Sequence, residues 1–89
     1  MAEEVLDLKT RFEAAMADSK TLPVRPDNSM LLKLYGLFKQ ATEGDNRGER
    51  PGSFDFVAGA KFDAWHKLIG TTREEAMRGY VFLVEGLKD

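Results

Sequence analysis

The apolar residues of this chain recur three or four positions apart in four separate segments, which is the spacing of amphipathic helices. The first predicted helix runs from Glu3 to about Ser19. Two prolines, Pro23 and Pro26, follow it closely, and they predict a linker because proline cannot continue a helix. The apolar stripe of the first helix consists of Val5, Leu8, Phe12, Ala15 and Met16.

A second helix is predicted after Asp27 or Asn28, since either side chain can accept a hydrogen bond from an amide of the first helical turn. Gly44 is a natural end for this helix. The nine residues that follow, 45–53, are rich in turn-forming residue types and predict a long surface loop. The apolar stripe of the second helix consists of Leu31, Leu34, Phe38 and Ala41.

A third helix is predicted from Phe56 or Val57 to Ile69, with Gly70 as its terminator. Residues 72–75, Thr-Arg-Glu-Glu, form a capping-box pattern that begins a fourth helix, and helical spacing then continues to the C-terminus. No segment has the alternating pattern of a strand. Four helices without an internal repeat predict an all-α bundle around one core.

The length and composition are those of an ordinary folded domain and exclude several kinds of protein. A chain of 89 residues, 43% of them hydrophobic, is expected to form one domain over residues 1–89. The absence of cysteine excludes disulfides, thiol catalysis and cysteine-ligated zinc. A net charge of −2 gives no support for a broad nucleic-acid-binding surface. Short apolar runs and an acidic N-terminus indicate neither a membrane span nor a signal peptide, so we expect a cytoplasmic protein.

No group of residues in the sequence stands out as catalytic or metal-binding. His66 is the only histidine, and a working imidazole needs an orienting partner that the sequence does not reveal. Glu74 and Glu75 fall in a predicted first turn, where acidic side chains are favoured by the helix dipole. The glycines of the 45–53 loop are not followed by the Gly-Lys-Ser/Thr ending of a phosphate-binding loop. We therefore expect neither catalytic nor metal-binding residues.

The remaining candidates are aromatic and cationic side chains on different predicted helices. Tyr35, Phe38 and Lys39 share one helical face through their i, i+3, i+4 spacing. Such a face could stack on a planar heterocycle and hold a phosphate, but the same rings could equally fill a core. The spacing alone leaves both interpretations open. The further candidates, each weak on its own, are Lys20, Lys61 and Tyr80.

Three motifs occur in order along the chain: Tyr-Gly-Leu-Phe-Lys-Gln-Ala-Thr-Glu-Gly-Asp at 35–45, Arg-Pro-Gly at 50–52 and Ala-Lys-Phe-Asp-Ala-Trp at 60–65. Together they closely resemble the acyl-CoA-binding protein family, and the resemblance covers nearly the whole chain from Phe12 to Lys88. It implies a four-helix bundle of up-down-down-up order. It further implies non-covalent binding of medium- and long-chain acyl-CoA esters by an intracellular carrier and buffer without catalytic activity.

The resemblance also implies which residues bind the ligand. An acyl-CoA carries an adenine ring, phosphates and an apolar tail, so lysines would meet the phosphates and Phe38 would offer a face to adenine. Apolar residues such as Met16 would cover the tail. The family commonly has Tyr in place of Phe38 and Trp in place of Phe62, so one hydroxyl contact and some buried area are expected to be lost. The implied ligand-binding residues are Lys20, Tyr35, Gly36, Leu37, Phe38, Lys39, Lys61 and Tyr80.

Two other functions are compatible with four amphipathic helices. One is a protein-interaction module whose exposed groove takes an amphipathic helix of a partner. The other is an enzyme acting on acyl thioesters, for which the sequence offers no identifiable nucleophile or base. The charge pattern and the helix periodicity require no more than a monomer. We therefore expect a monomeric carrier of acyl-CoA esters with no cofactor, no nucleic-acid partner and no membrane-spanning segment.

Overall fold

The computed structural model describes the backbone of residues 2–88 and the side chains from Asp7 to Lys88. The predicted role of Val5 in the first apolar stripe therefore lies outside the described side chains. The described part of the chain contains no strand. Its helices are α1 (Ala2–Ser19), α2 (Asn28–Glu43), α3 (Phe56–His66) and α4 (Arg73–Leu87), which confirms the all-α prediction.

Side-chain caps fix where α2 and α4 begin. The Asp27 carboxylate accepts a hydrogen bond of 2.8 Å from the Met30 amide and so satisfies one of the free donors of the first turn. At α4, the Glu75 amide donates to the Thr72 hydroxyl and the Thr72 amide donates to the Glu75 carboxylate, both at 3.0 Å. This reciprocal pair is the predicted capping box, which is confirmed.

The prediction for the C-terminal end of α3 was wrong, because the helix ends at His66 and not at Ile69. The following residues are wound more tightly: the Leu68 amide donates to the Trp65 carbonyl and the Ile69 amide to the His66 carbonyl, at 3.0 and 3.2 Å. Such i to i+3 bonds are typical of a tightened last turn. Gly70 then reverses the chain with a φ of 95°, a conformation that favours glycine.

The contacts of α2 define how its two neighbouring helices, α3 and α4, run relative to it. On α3, Lys61 lies over the Tyr35 ring and Lys39 lies over the Trp65 ring, so α2 and α3 run in the same direction. On α4, the position of Gly79 is next to Leu37. The Arg73 guanidinium donates to the Thr42 carbonyl at 2.9 Å. Because the later residue of α2 meets the earlier residue of α4, these two helices are antiparallel. The residues of these four contacts between α2 and its two neighbours are Tyr35, Leu37, Lys39, Thr42, Lys61, Trp65, Arg73 and Gly79.

Contacts between α1 and α4 complete the topology. The Phe12 and Tyr80 rings meet edge to face with centroids 5.2 Å apart, and Lys88 forms a salt bridge of 3.1 Å with Asp18. The order of these partners makes α1 and α4 parallel. The four helices therefore have the up-down-down-up order that the sequence resemblance implies.

The hydrophobic core lies where α1, α2 and α4 meet. Phe12 is central to it, since its ring is 3% exposed and packs against Tyr80 on one side and stacks at 6.5 Å on Phe38. Buried aliphatic and aromatic side chains of this kind contribute most of the stability of a small domain. The buried residues of the core are Phe12, Ala15, Leu34, Ala41, Ala76, Tyr80, Val81 and Val84.

Gln40 is a fully buried polar residue that joins three parts of the chain. Its side-chain amide donates to the Asp45 carboxylate and to the Thr71 carbonyl, both at 2.8 Å. The same Asp45 oxygen accepts a hydrogen bond of 3.0 Å from the Gly70 amide. The indole of Trp65 donates to the Gly44 carbonyl at 2.8 Å. These bonds fasten the loop after α2 to the turn before α4.

The arrangement is flat, with Cα extents of 43 × 31 × 14 Å. α1 packs on α4, α4 on α2 and α2 on α3, whereas within the described residues the backbones of α1 and α3 are not in contact. Since α3 packs on a single neighbouring helix, grooves remain open along its boundary with α2. None of the helices within residues 2–88 has both the length and the apolar character needed to cross a membrane.

We expect Gly36→Ala to destabilise the fold by about 1–3 kcal/mol, because overpacking forces well-packed elements apart. A Cβ atom at Gly36 would lie 2.6 Å from the Ala64 carbonyl oxygen, so α2 and α3 would have to separate. Urea denaturation measures the change. Gly86→Ala is the matched control: its Cβ meets no atom within 4 Å, and it should be stabilising by about 0.5–1 kcal/mol. Equal effects of the two variants would contradict the tight contact.

We also expect the bonds to Asp45 to make stability depend on acid pH. The backbone amide of Gly70, and then the amide of Gln40, hold the pKa of Asp45 below its ordinary value of 3.8. The folded state therefore binds fewer protons than the unfolded state, and this stabilisation is present above pH 3.8 and lost as the pH falls through the lowered pKa.

The measurement is urea denaturation of wild type and Asp45→Asn at a series of pH values from about 5 to 2. The free energy of unfolding should fall more steeply on acidification in the wild type, because the variant has no proton to take up at this position. Parallel curves for the two proteins would contradict the role given to the carboxylate.

Candidate functional site

An open groove lies between the N-terminal halves of α2 and α3, and we call it the Tyr35 groove. Its volume is about 410 Å³. Most of its surface is apolar, and the linker before α2 contributes one cation. The lining residues are Arg25, Asn28, Leu31, Leu32, Tyr35, Phe56, Val57, Ala60 and Lys61.

Two cations and a ring give this groove its polar character. The Lys61 ammonium lies 5.4 Å from the centroid of the Tyr35 ring, which is a cation–π distance. Arg25, in the linker before α2, also lines the groove. Neither Arg25 nor Lys61 forms a salt bridge with a carboxylate among the described residues. Both charges are exposed and free to meet an anionic ligand.

A smaller cavity of about 230 Å³ adjoins the Tyr35 groove and shares Leu31 and Tyr35 with it. Phe38 and Tyr80 line this second cavity. Tyr80 is 5% exposed, and its hydroxyl donates to the Ser19 hydroxyl at 3.2 Å. Phe38 and Tyr80 therefore line a cavity beside the groove, and Phe38 also packs against the hydrophobic core to which Tyr80 belongs.

Lys39 lies apart from the Tyr35 groove. Its ammonium forms a salt bridge with Glu43 one turn later on α2, and it also lies 4.9 Å from the centroid of the Trp65 ring. An anionic ligand that used Lys39 would have to compete with Glu43. Lys39 is thus in a different position from Lys61, whose charge has no carboxylate partner within the described residues.

Three further predicted residues do not line the Tyr35 groove. Lys20 is exposed in the turn after α1. Gly36 is buried in the contact between α2 and α3, where its missing side chain lets the two backbones approach. Leu37 faces α4 and a different groove. The reason is geometric: successive helical residues point about 100° apart, so consecutive positions from Tyr35 to Lys39 cannot all face one cavity.

Sequence reasoning missed several lining residues of the Tyr35 groove. Arg25 was assigned to a linker, although a cation held between two prolines next to a helix start could have been recognised as a candidate. Phe56 and Val57 were treated as the possible first residues of the third helix and not as ligand-binding candidates, yet their exposed fractions are 81% and 68%. Large apolar side chains placed off the core stripe are the signal that could have found them.

Comparison with known proteins identifies the family of this chain. The family model described as "Acyl CoA binding protein" matches residues 9–84, which is most of the chain. The chain belongs to the acyl-CoA-binding protein family. The resemblance drawn from the three sequence motifs is thereby confirmed.

Two proteins named as acyl-CoA-binding protein homologues and one solved structure are similar to this chain over most of their length. Acyl-CoA-binding protein homolog 1 of Caenorhabditis elegans is 49% identical over 76 residues, which are 85% of this chain and 88% of that protein. The homolog of Manduca sexta is 42% identical over 83 residues, 92% of each. The crystal structure of Oryza sativa Acyl-CoA-Binding Protein 2 superposes with a TM-score of 0.91 at 40% identity, covering 94% of this chain and 91% of that one.

Proposed function

We propose that this protein binds medium- and long-chain acyl-CoA esters non-covalently and serves as an intracellular carrier and buffer for them. The observation that carries the proposal is the Tyr35 groove, whose mostly apolar lining includes a tyrosine ring and two cations without carboxylate partners among the described residues. The relatives named as acyl-CoA-binding proteins support it, since they match nearly all of this chain.

The chemistry of an acyl-CoA suits the lining of the groove. Its phosphates are anionic, and Arg25 and Lys61 approach from two separate elements that could hold them. The Tyr35 ring offers a face for the adenine base. Leu31 and Leu32 present apolar surface to the acyl chain, whose burial is worth about 0.8 kcal/mol per CH₂ group. Longer chains should therefore bind more tightly until the apolar surface is used up.

The other predicted ligand residues have supporting roles in this proposal. Phe38 offers a second aromatic face beside Tyr35, without a hydroxyl, and Tyr80 forms the floor of the adjoining cavity. Lys20 follows Ser19 at that cavity and adds positive charge nearby. Lys39 would take part by exchanging Glu43 for a ligand phosphate.

Gly36 and Leu37 act in this proposal through packing. Gly36 sets the spacing of α2 and α3, and Leu37 packs toward α4. Neither residue needs to contact the headgroup. The spacing of the two helices determines the width of the Tyr35 groove, and that is the contribution of Gly36.

We infer that the protein carries acyl-CoA esters without reacting with them. We further infer that it does so in the cytoplasm and as a monomer. The lining of the Tyr35 groove offers cations and rings but, within the described residues, no paired nucleophile and base. The alternative of a groove for a partner's amphipathic helix is not favoured, because the family and its named members are defined by acyl-CoA.

Calorimetric titration with palmitoyl-CoA tests the proposal, with one-to-one saturable binding as the expected result. Lys61→Met and Arg25→Met should each weaken binding about tenfold or more, since a charge-assisted hydrogen bond contributes about 1.5–3 kcal/mol. Lys9→Met, which removes an exposed lysine of α1 away from the groove, is the matched control and should bind as the wild type does.

Absence of saturable binding by the wild type would overturn the proposed function. Equal losses in Lys61→Met and Lys9→Met would show instead that net charge, and not the Tyr35 groove, governs binding. Mass analysis of palmitoyl-CoA recovered after incubation separates a carrier from an enzyme, because a carrier returns the thioester unchanged.

A further inference from the structure

A polar cleft lies at the C-terminal ends of α2 and α3, and we call it the Arg73 cleft. Its volume is about 460 Å³. It shares no lining residue with the Tyr35 groove, which lies at the other end of the same two helices. Charged side chains and the loop after α2 form most of its surface. The lining residues are Glu43, Gly44, Asp45, Arg47, Gly48, Trp65 and Arg73.

The Arg73 guanidinium is held in place while part of its donor set stays unused. Its Nη1 atom donates to the Thr42 carbonyl at 2.9 Å, which ties it to the last turn of α2. The same group lies beside Gly44, where an added Cβ atom would be 3.4 Å from Nη2 and 3.5 Å from Nε. Within the described residues, neither of these two nitrogens has an acceptor and Arg73 has no salt bridge. A fixed guanidinium with free N–H groups is well suited to bind an anion.

Arg47 supplies a second guanidinium from the loop. It is exposed, and its side chain forms neither a hydrogen bond nor a salt bridge with another described residue. Its charge still acts on Asp45: hydrogen bonds from Gly70 and then Gln40 lower the pKa of that carboxyl, and Arg47 adds to the lowering. Arg47 therefore lies near the cleft's carboxylate without donating to it.

The two carboxylates of the cleft are already engaged. Glu43 forms a salt bridge with Lys39, one turn earlier on α2. One oxygen of Asp45 accepts from the Gln40 side-chain amide at 2.8 Å and from the Gly70 amide at 3.0 Å. Together with Lys39 and the two arginines, the cleft and its edge hold three cations and two anions. One positive charge is thus uncompensated.

A buried donor in the same loop adds to the positive potential. Asn46 is 5% exposed, and its Nδ2 atom has no hydrogen-bond partner within the described residues. The residues on either side of it, Asp45 and Arg47, both line the cleft. An unpaired N–H group carries a partial positive charge that no acceptor offsets. The loop therefore favours an anion beside it.

We propose that the Arg73 cleft binds a phosphate group between the guanidinium groups of Arg47 and Arg73. The ligand class is inorganic phosphate or a small phosphate monoester, which share this chemistry. A phosphate carries about −1.5 to −2 charges and has at least three terminal oxygens, so it can accept from two guanidinium forks together. A carboxylate is favoured less, because a single fork occupies both of its oxygens. This site goes beyond the proposed function and does not depend on acyl-CoA binding.

NMR titration of the full chain tests the site directly. Gly44 and Gly48 line the cleft, and Trp65 is the only tryptophan of the chain, so their N–H signals are site-specific probes. Sodium phosphate, glycerol 3-phosphate and sodium acetate are compared at constant ionic strength and about pH 7.5, where phosphate is mostly a dianion.

We expect inorganic phosphate to shift these signals saturably, with a Kd on the order of 1–10 mM, since exposed ion pairs are individually weak. Acetate should bind about fivefold more weakly or less tightly still, because it engages one fork only. The monoester identifies the source of the ligand. If glycerol 3-phosphate binds as tightly as inorganic phosphate, small phosphate esters are ligands. If it does not bind, the cleft takes the free ion.

Arg47→Gln and Arg73→Gln should each weaken phosphate binding about fivefold or more, because each removes one fork. Arg78→Gln is the matched control: Arg78 is an exposed arginine of α4 outside the cleft, and its loss should change the affinity by less than about twofold. Arg73→Lys keeps the charge but not the fork, so its affinity should fall between those of the wild type and Arg73→Gln.

Melting temperatures show whether the variants fold. Arg73→Gln also loses the bond to the Thr42 carbonyl, whereas Arg47→Gln removes a side chain without a hydrogen-bond partner in the described part of the chain. Arg47→Gln therefore tests the site even if Arg73→Gln unfolds.

Shifts that grow without saturation, that are as large with acetate, or that persist undiminished in Arg47→Gln would overturn the phosphate site. The titration is repeated with palmitoyl-CoA bound. An unchanged phosphate affinity supports a separate site, whereas loss of the phosphate shifts would assign Arg47 and Arg73 to the acyl-CoA headgroup and overturn the proposal. If the wild type binds no palmitoyl-CoA, the proposed function fails while the phosphate titration still stands.

Discussion

The fold of this protein depends on one close contact between two parallel helices. At Gly36 the backbone of α2 meets the Ala64 carbonyl of α3 with no room for a Cβ atom. Because this contact is narrow and contains no large side chain, both of its flanks stay open, with the Tyr35 groove on one side and, on the other, a second groove of about 550 Å³ that Leu37, Ala64 and Leu83 help to line. The absence of a side chain at one position thus determines the spacing of the groups that line both surfaces.

Part of the family motif supports the groove without lining it. Gln40 and Asp45 belong to the motif at 35–45, yet the side-chain NH₂ group of Gln40 donates to Asp45 and to the Thr71 carbonyl, and Asp45 accepts from the Gly70 amide. The two bonds donated by this buried NH₂ group stabilise the fold, since an unpaired buried donor is costly. The Gln40 Oε1 atom has no hydrogen-bond partner within the described residues. The motif therefore combines two roles in one helix: a face with Tyr35 that lines the groove, and a buried face that fixes the surrounding loops.

The sequence predicted the helices well because their signals are local. Apolar spacing gave all four helices, and the caps at Asp27 and Thr72 gave two of the helix starts. The end of α3 was predicted too late, since apolar spacing alone does not distinguish an α-helical turn from a tighter one. The groove was predicted less well, because its lining comes from a linker and two helices. Tyr35 and Lys61 were found, whereas Arg25 was overlooked.

The two prolines that surround Arg25 have a consequence for the cost of ligand recognition. Pro23 and Pro26 restrict the backbone of the linker before any ligand arrives, because the proline ring fixes φ and also limits the residue before it. A cation on such a segment has less conformational freedom to lose when it meets a phosphate than the same cation on a glycine-rich loop. The linker therefore acts as a pre-organised arm, and the entropy of ordering it is lost during folding and not during binding.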